Sequence, residues 1–178
     1  FALDTEKKSL NLFDKLQMST GTGVFGSFKK FDLLSVHGYA PSSYLACRDN
    51  AKANGAQVFI QDSISHAWIR NGGVLDLVST AKERNPKLNN YTAWGDEIVK
   101  IEKELIYELF RDEDVHIIST VRLKEKQDLV DGKVVSLGDQ QIFMPETKYE
   151  PDLVLHMLRA GNQDGTPPKA KVEKSRYA

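Results

Sequence analysis

The sequence predicts an α/β fold with a mostly parallel sheet, and three observations support this prediction. Short apolar runs alternate along the chain with amphipathic segments at helical spacing, which is typical of a parallel sheet covered by helices. The 178 residues are 40% hydrophobic and 28% charged, as in a globular domain with its own core. No apolar run approaches the roughly 20 residues that a membrane-spanning helix needs. We therefore expect one globular domain that has no membrane partner.

Five apolar runs are the candidate strands. They cover residues 1–4, 31–36, 58–62, 115–120 and 152–158. The dipeptide Asp131-Gly132 lies between two further apolar runs and predicts a hairpin turn. The stretch 20–30 is rich in Gly, Ser and Thr and predicts a loop.

Four segments carry helical patterns. Ser9 can cap a short helix, Pro41 begins a helix that ends at Asn54-Gly55, and a third helix follows Gly72-Gly73. The strongest pattern covers residues 92–110. Its expected core face consists of Trp94, Ile98, Ile101, Leu105 and Leu109.

The charge and the cysteine count exclude several classes of protein. With 24 Lys and Arg against 25 Asp and Glu, the net charge of -1 gives no overall reason to expect nucleic acid binding. The single cysteine, Cys47, excludes an intrachain disulfide framework and a cysteine-cluster zinc site. The chain opens without a secretory signal, so we expect a reducing, cytoplasmic location. His116 and His156 lie within apolar strands, and we expect them to be core residues.

Polar residues follow three of the predicted strands directly. They are Asp4-Thr5-Glu6, Asp62-Ser63 and Thr120-Val121-Arg122. Ligands of doubly wound parallel sheets bind outside the carboxyl ends of the strands, and a strand ending in Asp is how P-loop ATPases hold Mg²⁺. Asp62 as a helix cap and Glu6 as a solvated charge are the structural alternatives. We predict that Asp4, Glu6, Asp62, Ser63 and Thr120 converge at one edge of the sheet.

Five blocks of this sequence together resemble one family. The blocks are residues 2–6, 57–68, 116–124, 149–150 and 174–176, and the most specific is Asp62-Ser-Ile-Ser-His-Ala-Trp68 followed by a glycine pair. In this order they resemble the RecA-like AAA-type ATPases of bacteriophages and prophages, some of which act in recombination or single-strand annealing. The resemblance implies a RecA-like three-layer P-loop ATPase core with a mostly parallel sheet and a small hairpin. We expect this core to cover residues 1–165, with a basic C-terminal segment at 166–178.

The resemblance also implies a role for each strand end. Asp62 would support Mg²⁺ with Ser63 beside it, and Asp4 would lie at the same nucleotide site. Glu6 would polarise the attacking water, since a carboxylate can accept the proton of that water. Thr120 and Arg122 would contact the γ-phosphate of ATP.

Two basic residues near the C-terminus would act on a neighbouring subunit. Lys174 and Arg176 resemble the Lys-x-Arg pair that several RecA-like rings insert into the adjacent nucleotide site, where Arg can offset transition-state charge. The implied cofactors are ATP and Mg²⁺. The implied partners are further copies of the chain, in a homo-oligomer or ring, and single-stranded DNA, in the cytoplasm of a bacterial host.

Direct support for DNA binding is weak in this sequence. Residues 121–150 hold five basic and six acidic side chains, which is not the charge pattern of a phosphate-binding surface. The expectation of a DNA partner therefore depends on the resemblance.

The sequence departs from the family in two places. Gln61 interrupts the apolar run before Asp62, and no Gly-x-x-x-x-Gly-Lys-Ser/Thr motif occurs in the 178 residues. Gly21-Thr-Gly-Val-Phe-Gly26 satisfies Gly-x-Gly-x-x-Gly, but it follows no predicted strand and opens no predicted helix, so we interpret it as a loop. We expect that a segment with the phosphate loop precedes Phe1 and that the chain without it is an inactive ATPase. The alternative is a RecA-like scaffold or interaction module that does not hydrolyse ATP.

Overall fold

The computed structural model describes residues 1–5, 19–20, 23–24, 30–32, 38–130, 132–158 and 169–177. The chain forms two compact units, Phe1–Met144 and Pro145–Ala178. The domain boundary expected between residues 165 and 166 falls within the second unit, and the predicted domain assignment stays a prediction.

The described part of the first unit is built around one parallel sheet. The strands within the described residues are β1 Ala2–Asp4, β2 Ser19–Thr20, β3 Gly23–Val24, β4 Lys30–Asp32, β5 Val58–Asp62, β6 His116–Ser119, β7 Leu123–Val130, β8 Lys133–Gln141, β9 Leu153–Leu158 and β10 Lys169–Ser175. Strands β4, β1, β5 and β6 lie in this order and are parallel throughout. The expected mixed α/β class with a parallel sheet is therefore confirmed.

The other strands form antiparallel pairs. The hairpin predicted at Asp131-Gly132 is confirmed, because β7 and β8 pair across it and Gly132 has φ of 73°. Strands β2 and β3 pair within the stretch that was expected to be a loop. In the second unit, the strand expected at 152–158 is present as β9 and pairs with β10.

Four α-helices occur within the described residues. They are α1 Pro41–Ala53, α2 Ser65–Ile69, α3 Val74–Arg84 and α4 Glu97–Glu108. Helix α1 contacts β5 and α4, and α3 packs against both α2 and α4. None of these helices is long and apolar enough to cross a bilayer. The helix expected after Ser9 lies outside the described residues.

The strongest predicted helix differs from the expectation in its start and in its core face. Residues Thr92–Gly95 form a 3₁₀ turn, and α4 begins after Asp96, whose carboxylate accepts a hydrogen bond from the Ile98 amide. Val99 and Ile106 are buried, and so is Leu109, which was expected in the core; the expected Ile98 and Ile101 are 46% and 51% exposed. The expected face differs because α4 has two aliphatic stripes, and the stripe that is buried is interrupted by a glutamate, Glu102.

Polar contacts join α1 to α4 at both ends. Helix α1 has no side-chain cap of its own, and Glu102 of α4 accepts hydrogen bonds from the amide and the hydroxyl of Ser42. At the other end, Arg48 and Lys52 contact Asp112, whose side chain is only 3% exposed. We call these five residues the helix clamp.

The core and the histidines complete the picture of the first unit. The main cluster includes Leu3 of β1, Tyr44 of α1 and Phe59 of β5. His116 was expected in the core, but it is exposed, because it begins β6 and alternation turns its side chain away from the buried face. His156 of β9 is half-buried, with Nδ1 3.3 Å from the Glu173 carboxylate.

Candidate functional site

The register of the sheet brings the predicted strand ends together. Asp4 is the Cα partner of Asp62 on one side and of Asp32 on the other, so three aspartates lie at one level on adjacent strands. Because parallel strands point the same way, these positions share the carboxyl edge of the sheet. Asp32 was missed from the sequence, although it follows Lys30-Phe31 as Asp4 follows Ala2-Leu3. The Asp4 side chain is buried and the Asp62 side chain is half-buried.

The loop after β5 is tied to the end of β6. Thr120 donates a hydrogen bond from its hydroxyl to the Asp62 carboxylate over 2.6 Å. The Thr120 carbonyl accepts a hydrogen bond from the amide of Ile64. Two residues later, the Arg122 amide donates to the Ser65 hydroxyl, and the Arg122 side chain is exposed. Thr120 and Arg122 therefore lie beside Asp62 and its loop.

Ser63 has the least satisfied side chain of this loop. The residue is 2% exposed, and its hydroxyl oxygen has no hydrogen-bond partner among the described residues. The peptide bond that joins it to Asp62 is cis. A buried hydroxyl without a partner costs free energy, about 1–3 kcal/mol for a group of this kind. This unpaired hydroxyl follows Asp62 in the chain, which makes the loop a candidate site.

Thr5 is the residue that holds this loop to β1. Its hydroxyl lies 2.9 Å from the Asp62 carbonyl, 3.2 Å from the Ser63 carbonyl and 2.7 Å from the Ser63 amide nitrogen. It also lies 2.9 Å from Nδ1 of His66. Sequence reasoning treated Thr5 only as the middle of Asp4-Thr5-Glu6, although a hydroxyl in an otherwise buried strand end needs partners.

Two helices support the loop from the side of the core. Tyr44 of α1 donates its phenol proton to the Ser63 carbonyl over 2.9 Å. His66 is the second residue of α2, and Gly73 packs closely against the backbone of this helix. A Cβ at Gly73 would meet the carbonyl oxygens of His66 and Ala67 at 2.8 and 2.9 Å. The glycine pair that follows the Asp62 block is therefore required by packing at its second position.

Gln61 explains why a polar residue is tolerated in β5. It is 1% exposed, and its amide donates hydrogen bonds to the Leu109 carbonyl and to the Ser119 hydroxyl. Its side-chain nitrogen is therefore paired, whereas its side-chain oxygen has no hydrogen-bond partner among the described residues.

The remaining predicted site residues are Glu6, Lys174 and Arg176. Glu6 is outside the described residues. Lys174 and Arg176 belong to the second unit, where Lys174 donates to the carbonyls of Tyr149 and Pro151 and Arg176 pairs with Asp152. Glu173 is the acidic residue that lies near this pair in sequence, and the pairing of β9 with β10 also brings Asp152 beside Arg176.

The described part of the edge offers few side chains to a metal ion. Among the described residues, no group of three or more His, Cys, Asp and Glu side chains could hold a metal ion on its own. Mg²⁺ commonly takes one or two carboxylates and completes its shell with water and phosphate oxygens. Asp62, whose side chain is half-buried, is the candidate for such a carboxylate.

Comparisons of the chain with models of protein families, with curated proteins and with solved structures found no match. The fold and the site by themselves define a class of protein: a mixed α/β protein with a polar cluster at the carboxyl edge of a parallel sheet.

Proposed function

We propose that this chain is part of a RecA-like P-loop ATPase that binds Mg-ATP, hydrolyses it and couples hydrolysis to a phage-type DNA transaction such as recombination or single-strand annealing. The observation that carries the proposal is the register that places Asp4 beside Asp62 at the carboxyl edge, with the unpaired hydroxyl of Ser63 in the next residue of the chain. The block that contains Asp62 and Ser63 is also the most specific part of the family resemblance.

Each residue of the edge has a task in this proposal. Asp62 and Ser63 hold Mg²⁺ and its water shell, with Asp4 beside them. Glu6 accepts a proton from the attacking water, which a carboxylate does at neutral pH. Thr120, whose hydroxyl donates to Asp62, reports the γ-phosphate to the same loop, and Arg122 adds positive charge.

The proposed hydrolysis depends on assembly. Lys174 and Arg176 act in the nucleotide site of a neighbouring subunit, in a homo-oligomer or ring, where Arg spreads its fork over phosphate oxygens. In the single chain these cations bind Tyr149, Pro151 and Asp152 oxygens. The pair therefore exchanges oxygens of its own chain for phosphate oxygens when the neighbour docks.

A second candidate function is a RecA-like scaffold or interaction module that does not hydrolyse ATP. It is favoured by one observation, the lack of a Gly-x-x-x-x-Gly-Lys-Ser/Thr motif in the 178 residues. Without the backbone cradle and lysine of that motif, the β- and γ-phosphates have no dedicated binding group. For the same reason we expect the 178-residue chain by itself to be inactive as an ATPase.

The test uses the chain together with any residues that its reading frame encodes before Phe1. We expect Mg-dependent ATP binding and phosphate release from this protein. Asp62→Asn should weaken Mg-ATP binding or turnover without loss of the fold, and Glu6→Gln should keep binding but lose most hydrolysis, because an amide cannot take the proton. Asp128→Asn on exposed β7 is the matched control. Binding without turnover would favour the scaffold, and an unchanged rate in Glu6→Gln would remove Glu6 from the mechanism.

The trans role of Arg176 is tested by mixing two inactive variants. Arg176→Ala subunits and Glu6→Gln subunits should each be inactive, and their mixture should regain part of the ATPase rate, since some interfaces then contain both intact groups. Mixing each variant with itself at the same total concentration is the control. A mixture with no recovery, or a strictly monomeric active protein, would contradict the role in trans.

A further inference from the structure

The hydroxyl of Thr5 is surrounded by four polar atoms, all within 3.2 Å. Two are the carbonyl oxygens of Asp62 and Ser63, one is the Ser63 amide and one is Nδ1 of His66. The residue is 1% exposed, so water does not compete for these contacts. Four buried contacts at one hydroxyl constrain where its single proton can lie.

A threonine hydroxyl has one proton to donate and two lone pairs that accept. The Ser63 amide can only donate, so it takes one lone pair. The two carbonyl oxygens can only accept. If the proton pointed to His66 instead, the Thr5 oxygen would face both carbonyl oxygens, at 2.9 and 3.2 Å, with no hydrogen between them. This repulsion is avoided when the Thr5 hydroxyl proton points towards the carbonyl oxygens. Nδ1 of His66 then carries a proton and donates a hydrogen bond to the second lone pair of the Thr5 hydroxyl oxygen.

We propose that Thr5 is the positioning residue of the Asp62–Ser63 segment, and that its hydroxyl is fully used, with a proton held on Nδ1 of His66. The hydrogen-bond arrangement stands on geometry alone. The consequence for Mg-ATP rests on the proposed function. The Thr5 amide also donates to the Asp62 carbonyl over 2.7 Å. Thr5 therefore holds this segment through both its backbone and its side chain.

The hydrogen bonds from Thr5 determine where the Asp62 carboxylate and the Ser63 hydroxyl lie. The backbone of Asp62 and Ser63 is held by Thr5 on one side and by Tyr44 on the Ser63 carbonyl. With the backbone fixed, the Asp62 carboxylate stays on the Thr120 hydroxyl. Removing the Thr5 hydroxyl leaves a buried amide and a buried imidazole N–H without their acceptor, and the segment has to shift to satisfy them.

The first test is a nitrogen NMR spectrum of the His66 ring in the unaltered 178-residue chain, assigned by comparison with His66→Gln. We expect a protonated Nδ1. Thr5→Ser keeps the hydroxyl and should keep this signal, whereas Thr5→Val, which has nearly the same shape, should lose it. A bare Nδ1 in the unaltered chain, or an unchanged spectrum in Thr5→Val, would overturn the arrangement. The measurement on the unaltered chain is informative even where Thr5→Val fails to fold.

The second test measures Mg-ATP affinity in the chain with any residues encoded before Phe1. Outer groups that orient a metal ligand typically change affinity ~10–100-fold, and we expect a loss of this size in Thr5→Val, with recovery in Thr5→Ser. Ile106→Val, on the buried face of α4, is the control for lost stability and should bind normally. Equal affinity of Thr5→Val and the parent would refute the positioning role. If the parent itself bound no Mg-ATP, the proposed function would fail, while the NMR result would still decide the hydrogen-bond arrangement.

Discussion

Two polar networks in the first unit differ in how completely their groups are paired. The helix clamp of Ser42, Arg48, Lys52, Glu102 and Asp112 joins α1 to α4. The edge cluster of Thr5, Asp62, Ser63 and Thr120 joins the sheet to the loop after β5. Both networks are partly buried and both connect segments that are distant in sequence. Within the described residues, the edge cluster leaves one buried atom, the hydroxyl oxygen of Ser63, without a hydrogen-bond partner, and the helix clamp leaves none.

The helix clamp is a structural device. Glu102 uses both carboxylate oxygens on Ser42, so it caps a helix that lacks its own cap. Arg48 donates to the carbonyls of Glu108 and Arg111 and contacts Asp112. Every one of these interactions pairs an acceptor with a donor. A network of this kind stabilises the packing of two helices and leaves nothing for a ligand to bind.

The edge cluster is arranged differently, and the difference indicates function. Its backbone contacts are fully used, but the Ser63 hydroxyl has no partner within the described part of the chain. Buried polar groups in folded proteins are almost always paired, so an exception beside a carboxylate needs an explanation. A ligand that completes the pairing is one. Paired networks therefore indicate structure, and incomplete networks at strand ends indicate sites.

Among the changes that test the difference between the two networks, we expect Asp112→Asn to have the largest effect on the free energy of unfolding. Burial by itself would raise the pKa of Asp112, but the Asp114 amide, Lys52 and Arg48 together hold that pKa below its usual value. Loss of a buried, charge-assisted hydrogen-bond partner should lower the free energy of unfolding by about 2 kcal/mol at neutral pH, which urea unfolding measures. Mg-ATP affinity should stay unchanged.

The pH dependence of the same variant checks the physical cause. Because the folded pKa of Asp112 is lower than the unfolded one, its contribution to stability is present above the unfolded pKa and is lost as the pH falls through the folded pKa. The stabilities of the parent and of Asp112→Asn should therefore converge in acid, below about pH 4. A difference that stays constant down to pH 2 would show that charge is not the cause.

The fold could be predicted where the sequence pattern is local. Strand β5, helix α1 with its proline start, and the hairpin at Gly132 follow from apolar runs and turn residues, and all are present. The core face of α4 could not be predicted. Its buried stripe contains Glu102, whose partner Ser42 lies 60 residues away in sequence. A charged residue at a buried position looks solvent-exposed in any pattern that sees only neighbouring residues.

The site could be predicted in its positions but not in its contacts. A polar residue after an apolar strand marks Asp4, Asp62 and Thr120, and the parallel register then places Asp4 beside Asp62. The role of Thr5 was hidden, because its partners, at Asp62, Ser63 and His66, become neighbours only when β1 and β5 pair. Register is a tertiary property, so this network needed the structure.

The smallest effects on stability are expected from changing one serine of each network to alanine, and these two variants compare the networks most directly. Ser42→Ala removes a hydroxyl that donates to Glu102 over 2.6 Å, and it should cost about 1 kcal/mol of unfolding free energy. Ser63→Ala removes a hydroxyl that has no partner in the described structure, so no hydrogen bond is lost and a desolvated polar group disappears. We expect its stability to stay within about 0.5 kcal/mol of the parent or to rise.

Ligand binding should show the opposite order for the two serines. In the chain with any residues encoded before Phe1, Ser63→Ala should weaken Mg-ATP binding. Ser42→Ala, in the contact between α1 and α4, should bind like the parent. Urea unfolding and ATP titration on the same four samples, with Ser63→Thr as the variant that keeps a hydroxyl, separate the two effects. If Ser63→Ala were as destabilising as Ser42→Ala and bound Mg-ATP normally, the Ser63 hydroxyl would be a structural group with a partner in solution. The distinction between the paired and the incomplete network would then fail at its central atom.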